Sequence, residues 1–362
     1  MPQERPFVAA HDAACFQTRP RDRTIGALLL RLNSAYAAGH DDTGDGPTEA
    51  ARQVWWKSLQ AYTKSRLTPA EQRITAVCKQ CCKAAIKATV QLHISEACRL
   101  FGVARAYSEK KELSAEAALL CQSDLAAAES DLDFSCRDFA QAKSRLLLAM
   151  VLDEELERRY GYKLLHVHRI HLLAKIIKVE SRISGVPSAM DLAARGLTYL
   201  QSARNELPIP GGWTEECLSA IPASALQFLI RQITVEIAAA LADEPRETVR
   251  KSLSTIVNRT DFRKKSAHWD DISHAWCELK LLAAQKQKRR QYLESCSTFF
   301  AGGRKKADAL WYLAALDAAR ACRSFHLAPA RNFCDRVAAD LMSAQPFPLS
   351  LRAKWCKILT ER

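Results

Sequence analysis

The sequence predicts an all-α fold, a curved solenoid built from TPR-like helical hairpins, and three observations predict it. Gly and Pro number only 12 and 13 in 362 residues, below the usual shares of about 7% and 5%, while 58 residues are Ala, the strongest helix former. Apolar residues recur at helical spacing almost throughout, and no stretch sustains an alternation of period two. The breaks between periodic segments are short, so consecutive helices become antiparallel neighbours.

The elements follow in order. A first helix is expected over 22–38, where Arg23 to Ala37 is amphipathic, followed by a Gly- and Asp-rich loop from Gly39 to Pro47. A second, over 48–66, stops before Thr68-Pro69-Ala70-Glu71. That tetrapeptide gives the helix over 69–90 an N-cap, a proline at its first position and a capping-box Glu. Periodicity alone carries 91–110, 113–131, 134–160 and 162–184. Ser184-Gly185-Val186-Pro187 closes the last of these and opens 188–205. Pro208-Ile209-Pro210-Gly211-Gly212 is the strongest break in the chain. Beyond it lie a short helix over 213–220 and a longer one over 223–242. Asp243-Glu244-Pro245 starts 246–258, periodicity gives 270–300 and 304–325, Ala328-Pro329 starts 329–344, and a final helix spans 349–360. Trp276 and Trp311 lie 35 apart, an offset shared by Leu281/Leu316, Ala283/Ala318 and Ala284/Ala319. The tetratricopeptide period is similar, although its full set of Gly, Tyr, Ala and Pro positions is not met. The expected organisation is an N-terminal segment with the first helix (1–47), a helical solenoid (48–300) and basic C-terminal helices packed on the same domain (301–362).

Charge is polarised along the chain. Residues 1–250 carry 32 basic and 30 acidic side chains, whereas 251–362 carry 21 and 10, a net +11 out of the total +13. Arg263, Lys264 and Lys265, then Lys286, Lys288, Arg289 and Arg290, then Arg304, Lys305 and Lys306 form three basic clusters. They are candidates for contact with an anionic partner, whether membrane, nucleic acid or an acidic protein tail; a solvated soluble face is the equally weighted alternative. No apolar run reaches about 18 residues, and the opening residues lack the apolar region of a signal peptide, so a cytoplasmic protein is expected.

Thirteen cysteines at irregular spacing read as reduced, buried thiols, as with Cys98, Cys121, Cys277 and Cys322. Cys78, Cys81 and Cys82 lack a second Cys/His pair at zinc spacing, so helix packing explains them. His166, His168 and His171 cluster on one helix, with no carboxylate or Cys one turn away to complete a ligand set. His268, Asp270, Asp271, His274 and Cys277 read most simply as an acidic helix start. Arg263 and His268 stand at the Arg-x4-His spacing of helical ribonucleases, which chance produces readily in a chain this rich in Arg. There is no Gly-rich phosphate loop, His-Glu-x-x-His or nucleophile elbow. No catalytic residue, metal ligand or cofactor is assigned.

The helix over 162–184 carries two apolar stripes. Leu165, Leu172, Ile176, Val179 and Ile183 form one; Ile170, Leu173 and Ile177 form the other, turned by about 110°. Either the solenoid buries both, one in each layer, or one lines an apolar groove for a partner's amphipathic helix.

Several segments are similar to a known family. Cys98-x-Leu100-Phe101-x-x-Ala104-x-x-x-Ser108 resembles a helix of the Bro domain, the boomerang-shaped α-helical domain of ALIX and related ESCRT adaptors, with Gly102 in place of the family Asn and Glu109 in place of the Gln. Leu146 to Glu155 resembles the family's next motif without its Ala-Gln repeats. Leu172-Leu173-Ala174-Lys175-Ile176 is similar to its Ile-Ile-Ala-Lys-Leu. Leu282-Ala283-Ala284-x-Lys286 followed by Tyr292 is similar to its Leu-Ala-Ala-Ala-Lys segment, with Lys288-Arg289-Arg290 replacing an Asp-rich stretch. The segments are collinear with the family over about residues 50–300. The resemblance implies a non-enzymatic endosomal adaptor that grips the C-terminal amphipathic helix of an ESCRT-III subunit. By position, Leu172, Ile176 and Val179 would line the groove with Leu156 and Tyr160. The family's charged groove positions fall near Leu113 and Ala117, which cannot form ion pairs. The basic last third would then meet anionic endosomal lipid. The alternative is a basic α-helical scaffold of an RNA or ribonucleoprotein complex, although only Trp269, Tyr292 and Trp311 lie near the basic clusters for base stacking.

Overall fold

Helix follows helix in the computed structural model, which describes residues 20–40, 47–260, 271–285, 288–304 and 308–343. Among these residues there are fifteen α-helices and no strand. They are α1 (Pro20–His40), α2 (Pro47–Arg66), α3 (Pro69–Val90), α4 (Ile94–Ser108), α5 (Ala115–Ser135), α6 (Phe139–Tyr160), α7 (Leu165–Ile183) and α8 (Val186–Ser202). After these come α9 (Glu215–Ser219), α10 (Ala223–Ala240), α11 (Arg246–Arg259), α12 (Asp271–Ala284), α13 (Arg289–Ala301), α14 (Asp308–Cys322) and α15 (Ala328–Ser343). The all-α, solenoid-like architecture is the one the composition and periodicity predict.

Local chemistry sets the boundaries. Thr68 accepts from the Glu71 backbone N–H, and Glu71 Oε2 accepts from Thr68 N at 2.9 Å, completing the capping box. Glu71 Oε1 also accepts from the backbone N of Ser114, the N-cap of α5, at 3.0 Å. One buried carboxylate thus ties two helix starts together, and the bonds from Ser114 and Thr68 hold its pKa down to about 2. The helix expected over 134–160 begins later, because α5 runs on to Ser135. Arg137 then takes a left-handed φ of 65°, and Asp138 caps α6 by accepting from Gln141 N at 3.1 Å. The helix expected over 270–300 is two. A turn from Lys288 N to Gln285 O (3.2 Å) separates α12 from α13, so that α13 folds back on α12 and Trp276, Leu279, Tyr292 and Leu293 enter one core. The helix expected over 349–360 and most of the 39–47 loop lie outside the described residues.

The main core runs from α1 through α5–α8 to α10–α15. A second cluster joins α3, α4 and α5 through Cys78, Cys82, Phe101, Ala104 and Cys121; a third, smaller one gathers Leu59, Leu156, Tyr162 and Leu165 beneath α2. Cys78, Cys121, Cys277 and Cys322 are buried as expected, but Cys98 is exposed. On α4 the inward face is taken by Ala97, Phe101 and Ala104 at i, i+4 and i+7, which turns Cys98 outward. The two ends of the described chain meet. Tyr36 on α1 stacks on Trp311 (centroids 4.4 Å apart) with Phe300 and Phe333 edge-on at 5.3 Å, and Asn33 Nδ2 donates to the Pro329 carbonyl at 2.8 Å. No described helix is long and apolar enough to cross a membrane.

Candidate functional site

The residues expected to line a groove do not line one. Leu156, Leu172 and Ile176 are 0% exposed and Val179 is 2% exposed. The second stripe, Ile170, Leu173 and Ile177, is equally buried. The reason is that α7 is packed against α6, α8 and α10 together, so both stripes have partners except at Ile183, the last residue of α7, which is exposed. Tyr160 is half-buried at the end of α6, where its carbonyl accepts from the Tyr62 hydroxyl at 2.8 Å, beside the small cluster under α2. Ala117, at a charged groove position of the resemblance, is buried as well.

A different groove exists on the polar side of α7. A cleft of about 470 Å³ opens between α2, α3, α5, α7 and α10. Its apolar walls are Trp55 and Trp56 from α2, Ile86 from α3, Val167 from α7 and Phe228 from α10. All of these except Val167 are half-buried rather than sealed in the core. The Trp55–Trp56 doublet is the sequence signal that was available. Adjacent helix positions point about 100° apart, so one stripe cannot bury both rings. Trp55 is anchored by Nε1 donating to the Leu164 carbonyl at 3.0 Å. Lys79 sits 3.7 Å over the Trp56 ring and 3.4 Å from Asp124. Lys83 is 5.8 Å from the same ring and has no ion pair among the described residues. Lys175 holds Asp131 at 2.9 Å. The rim thus carries three ammonium groups around apolar walls; Lys79 and Lys175 are offset by carboxylates, and Lys83 has no ion pair among the described residues.

His168 and His171 also line this cleft, with rings stacked at 6.3 Å and 23°. His168 Nδ1 bonds Asp153 Oδ2 at 2.7 Å, and Asp153 Oδ1 accepts from Ser123 Oγ at 2.5 Å. Burial pushes His168 down, but the Asp153 carboxylate outweighs it and the net shift is upward. His171 Nδ1 bonds Gln232 Oε1 at 2.8 Å. Burial, with Lys175 and His168 nearby, pushes its pKa down to about 4. The Ser123 hydroxyl is spent on Asp153 rather than on an imidazole, so this Ser–Asp–His chain is not a nucleophile–base pair. Lysines on both walls disfavour a cation between the two rings.

A second polar cluster brings Glu157, His166 and Cys217 within 4.8 Å of one another, a juxtaposition spread over sixty residues of sequence. Its centre already holds a cation. Arg169 donates to both Glu157 oxygens and its Nη2 lies 2.8 Å from His166 Nδ1. Burial and Arg169 push His166 down to about 3, while burial lifts Glu157 to about 7. The same guanidinium reaches the Gly212 carbonyl at 3.3 Å and faces the Trp213 ring at 5.1 Å. This cluster therefore pins the 203–214 connection rather than offering a metal site.

Of the basic clusters, Arg263, Lys264, Lys265, Lys286, Lys305 and Lys306 lie outside the described residues. Lys288, Arg289 and Arg290 are exposed, Arg290 being paired with Glu294 at 3.0 Å. Arg304 is not a surface group as expected. Its Nη1 donates to the Tyr312 hydroxyl at 2.8 Å and lies 3.2 Å from His40 Nε2, drawn inward where α1 meets α14. No protein-family model, curated protein or solved structure matches the chain.

Proposed function

We propose that the chain is a non-enzymatic helical adaptor that docks an amphipathic helix of a partner protein in the cleft between α2, α3, α5, α7 and α10. The observation that carries this reading is the half-buried wall of Trp55, Trp56, Ile86 and Phe228 beneath the ammonium groups of Lys79, Lys83 and Lys175. Helix-in-groove recognition needs this combination: pockets for large side chains spaced at i, i+3 or i+4 and i+7, and a rim whose charge selects the partner and its register. The matching helix is apolar on one face with acidic residues flanking it. The C-terminal helix of an ESCRT-III-type subunit is the first candidate, supported by the collinear Bro-like segments. Exposed Lys288, Arg289 and Arg290 would favour an anionic, endosomal membrane by about 1 kcal/mol per residue.

A pull-down with the C-terminal helices of ESCRT-III subunits tests this reading. Wild-type protein should be retained, and Trp56→Ala/Phe228→Glu should reduce retention at least about tenfold, since interface aromatics commonly carry 2 kcal/mol or more. Equal retention of the double variant would overturn the cleft as the docking site.

A further inference from the structure

The basic run that opens α13 borders a cavity of its own, far from the cleft in sequence and on different helices. About 210 Å³ lies between the N-terminal turns of α11 and α13 and the C-terminal half of α14. Arg246, Lys280, Arg289 and Arg320 line it, together with Tyr292 and Ser324. Two of the four cations are committed. Lys280 Nζ is 2.5 Å from Asp317 Oδ2, and Arg320 donates to the Ala242 carbonyl at 2.5 Å and lies 3.4 Å from Asp243. Arg246 and Arg289 form no ion pair among the described residues. Arg289 reaches Ser324 Oγ at 3.4 Å and lies over the Phe325 ring, 6.0 Å from its centroid.

Three further features point to a bound anion. Neither α11 nor α13 has a side-chain N-cap bond, so both present uncapped first-turn N–H groups and the positive ends of their dipoles. The first turn of α13 has no acidic residue and carries Arg289 and Arg290. Tyr292 is 3% exposed, and its hydroxyl meets the Cys296 thiol, a weak acceptor, with no oxygen or nitrogen partner; the Asp317 carboxylate is near. Burial keeps this phenol protonated, hence a donor. Glu244 and Asp317 also line the cavity, but Asp317 is neutralised by Lys280. The volume falls below the roughly 300–1,000 Å³ of drug-sized sites, which selects a small ligand.

We propose that this cavity binds a phosphate ester, with Arg246 and Arg289 clamping the phosphoryl oxygens and the Tyr292 hydroxyl donating to one of them. Guanidinium forks match phosphate geometry in two-point bonds. The same group is presented by a soluble phosphate ester and by a phosphorylated lipid headgroup.

Calorimetric titration of the full chain with soluble inositol trisphosphate tests the site, alongside flotation with phosphatidylcholine vesicles carrying a phosphatidylinositol phosphate. Arg246→Gln and Arg289→Gln should each weaken binding about tenfold or more. Tyr292→Phe should weaken it severalfold without lowering Tm, and Arg182→Gln on α7 should leave it unchanged. Binding of the soluble ester with this dependence assigns a soluble source. Binding only to the phosphoinositide vesicles, lost in Arg289→Gln, assigns a lipid source. Phosphatidylserine vesicles of equal charge binding as well, indifference to Arg289→Gln, or no binding in either format would each overturn the proposal.

Discussion

Arg169 donates from Nε and Nη2 to the two carboxylate oxygens of Glu157, at 2.9 and 2.8 Å, between α7 and α6. Arg169 is fully buried, so the pair carries a large desolvation cost that only its own geometry offsets. Removing one partner leaves the other charge stranded. Glu157→Gln and Arg169→Met should each lower stability by about 3–5 kcal/mol, read as a shift in urea midpoint. Gly211 belongs to the same unit. Its φ is +134°, and an added Cβ would lie 2.5 Å from Arg169 Nη1. Gly211→Ala should therefore destabilise by roughly 1–3 kcal/mol, whereas no change in midpoint would separate the 203–214 connection from this ion pair.

The closure of α1 on the C-terminal helices makes a paired prediction about two glycines of one helix. A Cβ at Gly39 would collide with the Phe300 carbonyl oxygen, while one at Gly26 meets nothing within 4 Å. Gly26→Ala should raise stability by up to about 1 kcal/mol through helix propensity. Gly39→Ala should instead lower it, because backbone rather than a flexible side chain stands in the way. A thermal melt in which both substitutions stabilise would mean that α1 does not pack on α13 at this distance.

How much of this was legible in the sequence depends on the range of the interaction. The capping box at Thr68 and Glu71 and the start at Pro187 are local, and the chain announces them. The split at Gln285–Lys288 was not legible, because its cause is the return of Tyr292 onto the core of Trp276, a tertiary gain that periodicity cannot register. The two stripes of α7 were visible, but whether one faced solvent depended on α6, α8 and α10 all reaching it. The cleft was least legible, since Trp56, Lys83, His168 and Phe228 come from four helices. Only the Trp55–Trp56 doublet hinted that an aromatic ring would be left outside the core. The Asn33–Pro329 contact had no local signal at all.

His171 makes stability depend on pH. Its pKa falls to about 4 in the folded protein, against about 6.5 when unfolded. Between these values the unfolded chain binds the proton and the folded one does not, so stability is lost as pH falls from 6.5 towards 4. The contribution is about 3 kcal/mol. His166 acts in the same direction, and Glu157, raised to about 7, acts against both. Melting wild type and His171→Gln across pH 4–7 isolates the difference. The variant should show the shallower acid loss; parallel curves would remove His171 as a contributor.

If the cleft docks an acidic helix as proposed, His168 should make that docking depend on pH in the opposite sense. Asp153 raises its pKa, so as pH falls the imidazole gains its positive charge earlier than a free one would, in a cleft that also carries Lys79, Lys83 and Lys175. An acidic amphipathic helix should bind more tightly as pH falls through this pKa, and His168→Gln should flatten the dependence. Affinities measured from pH 8 to 6 check this, and a profile unchanged in the variant would assign the effect elsewhere.

The most direct test of the cleft is a fluorescence-anisotropy titration of a labelled acidic amphipathic helix from an ESCRT-III-type C-terminus. It compares wild type, Phe228→Glu and a control, Leu148→Glu, whose side chain is 51% exposed on α6 away from the cleft. With melting temperatures matched, wild type and control should bind saturably, and Phe228→Glu should bind at least about tenfold more weakly. Equal affinity of Phe228→Glu and wild type would contradict docking in the cleft.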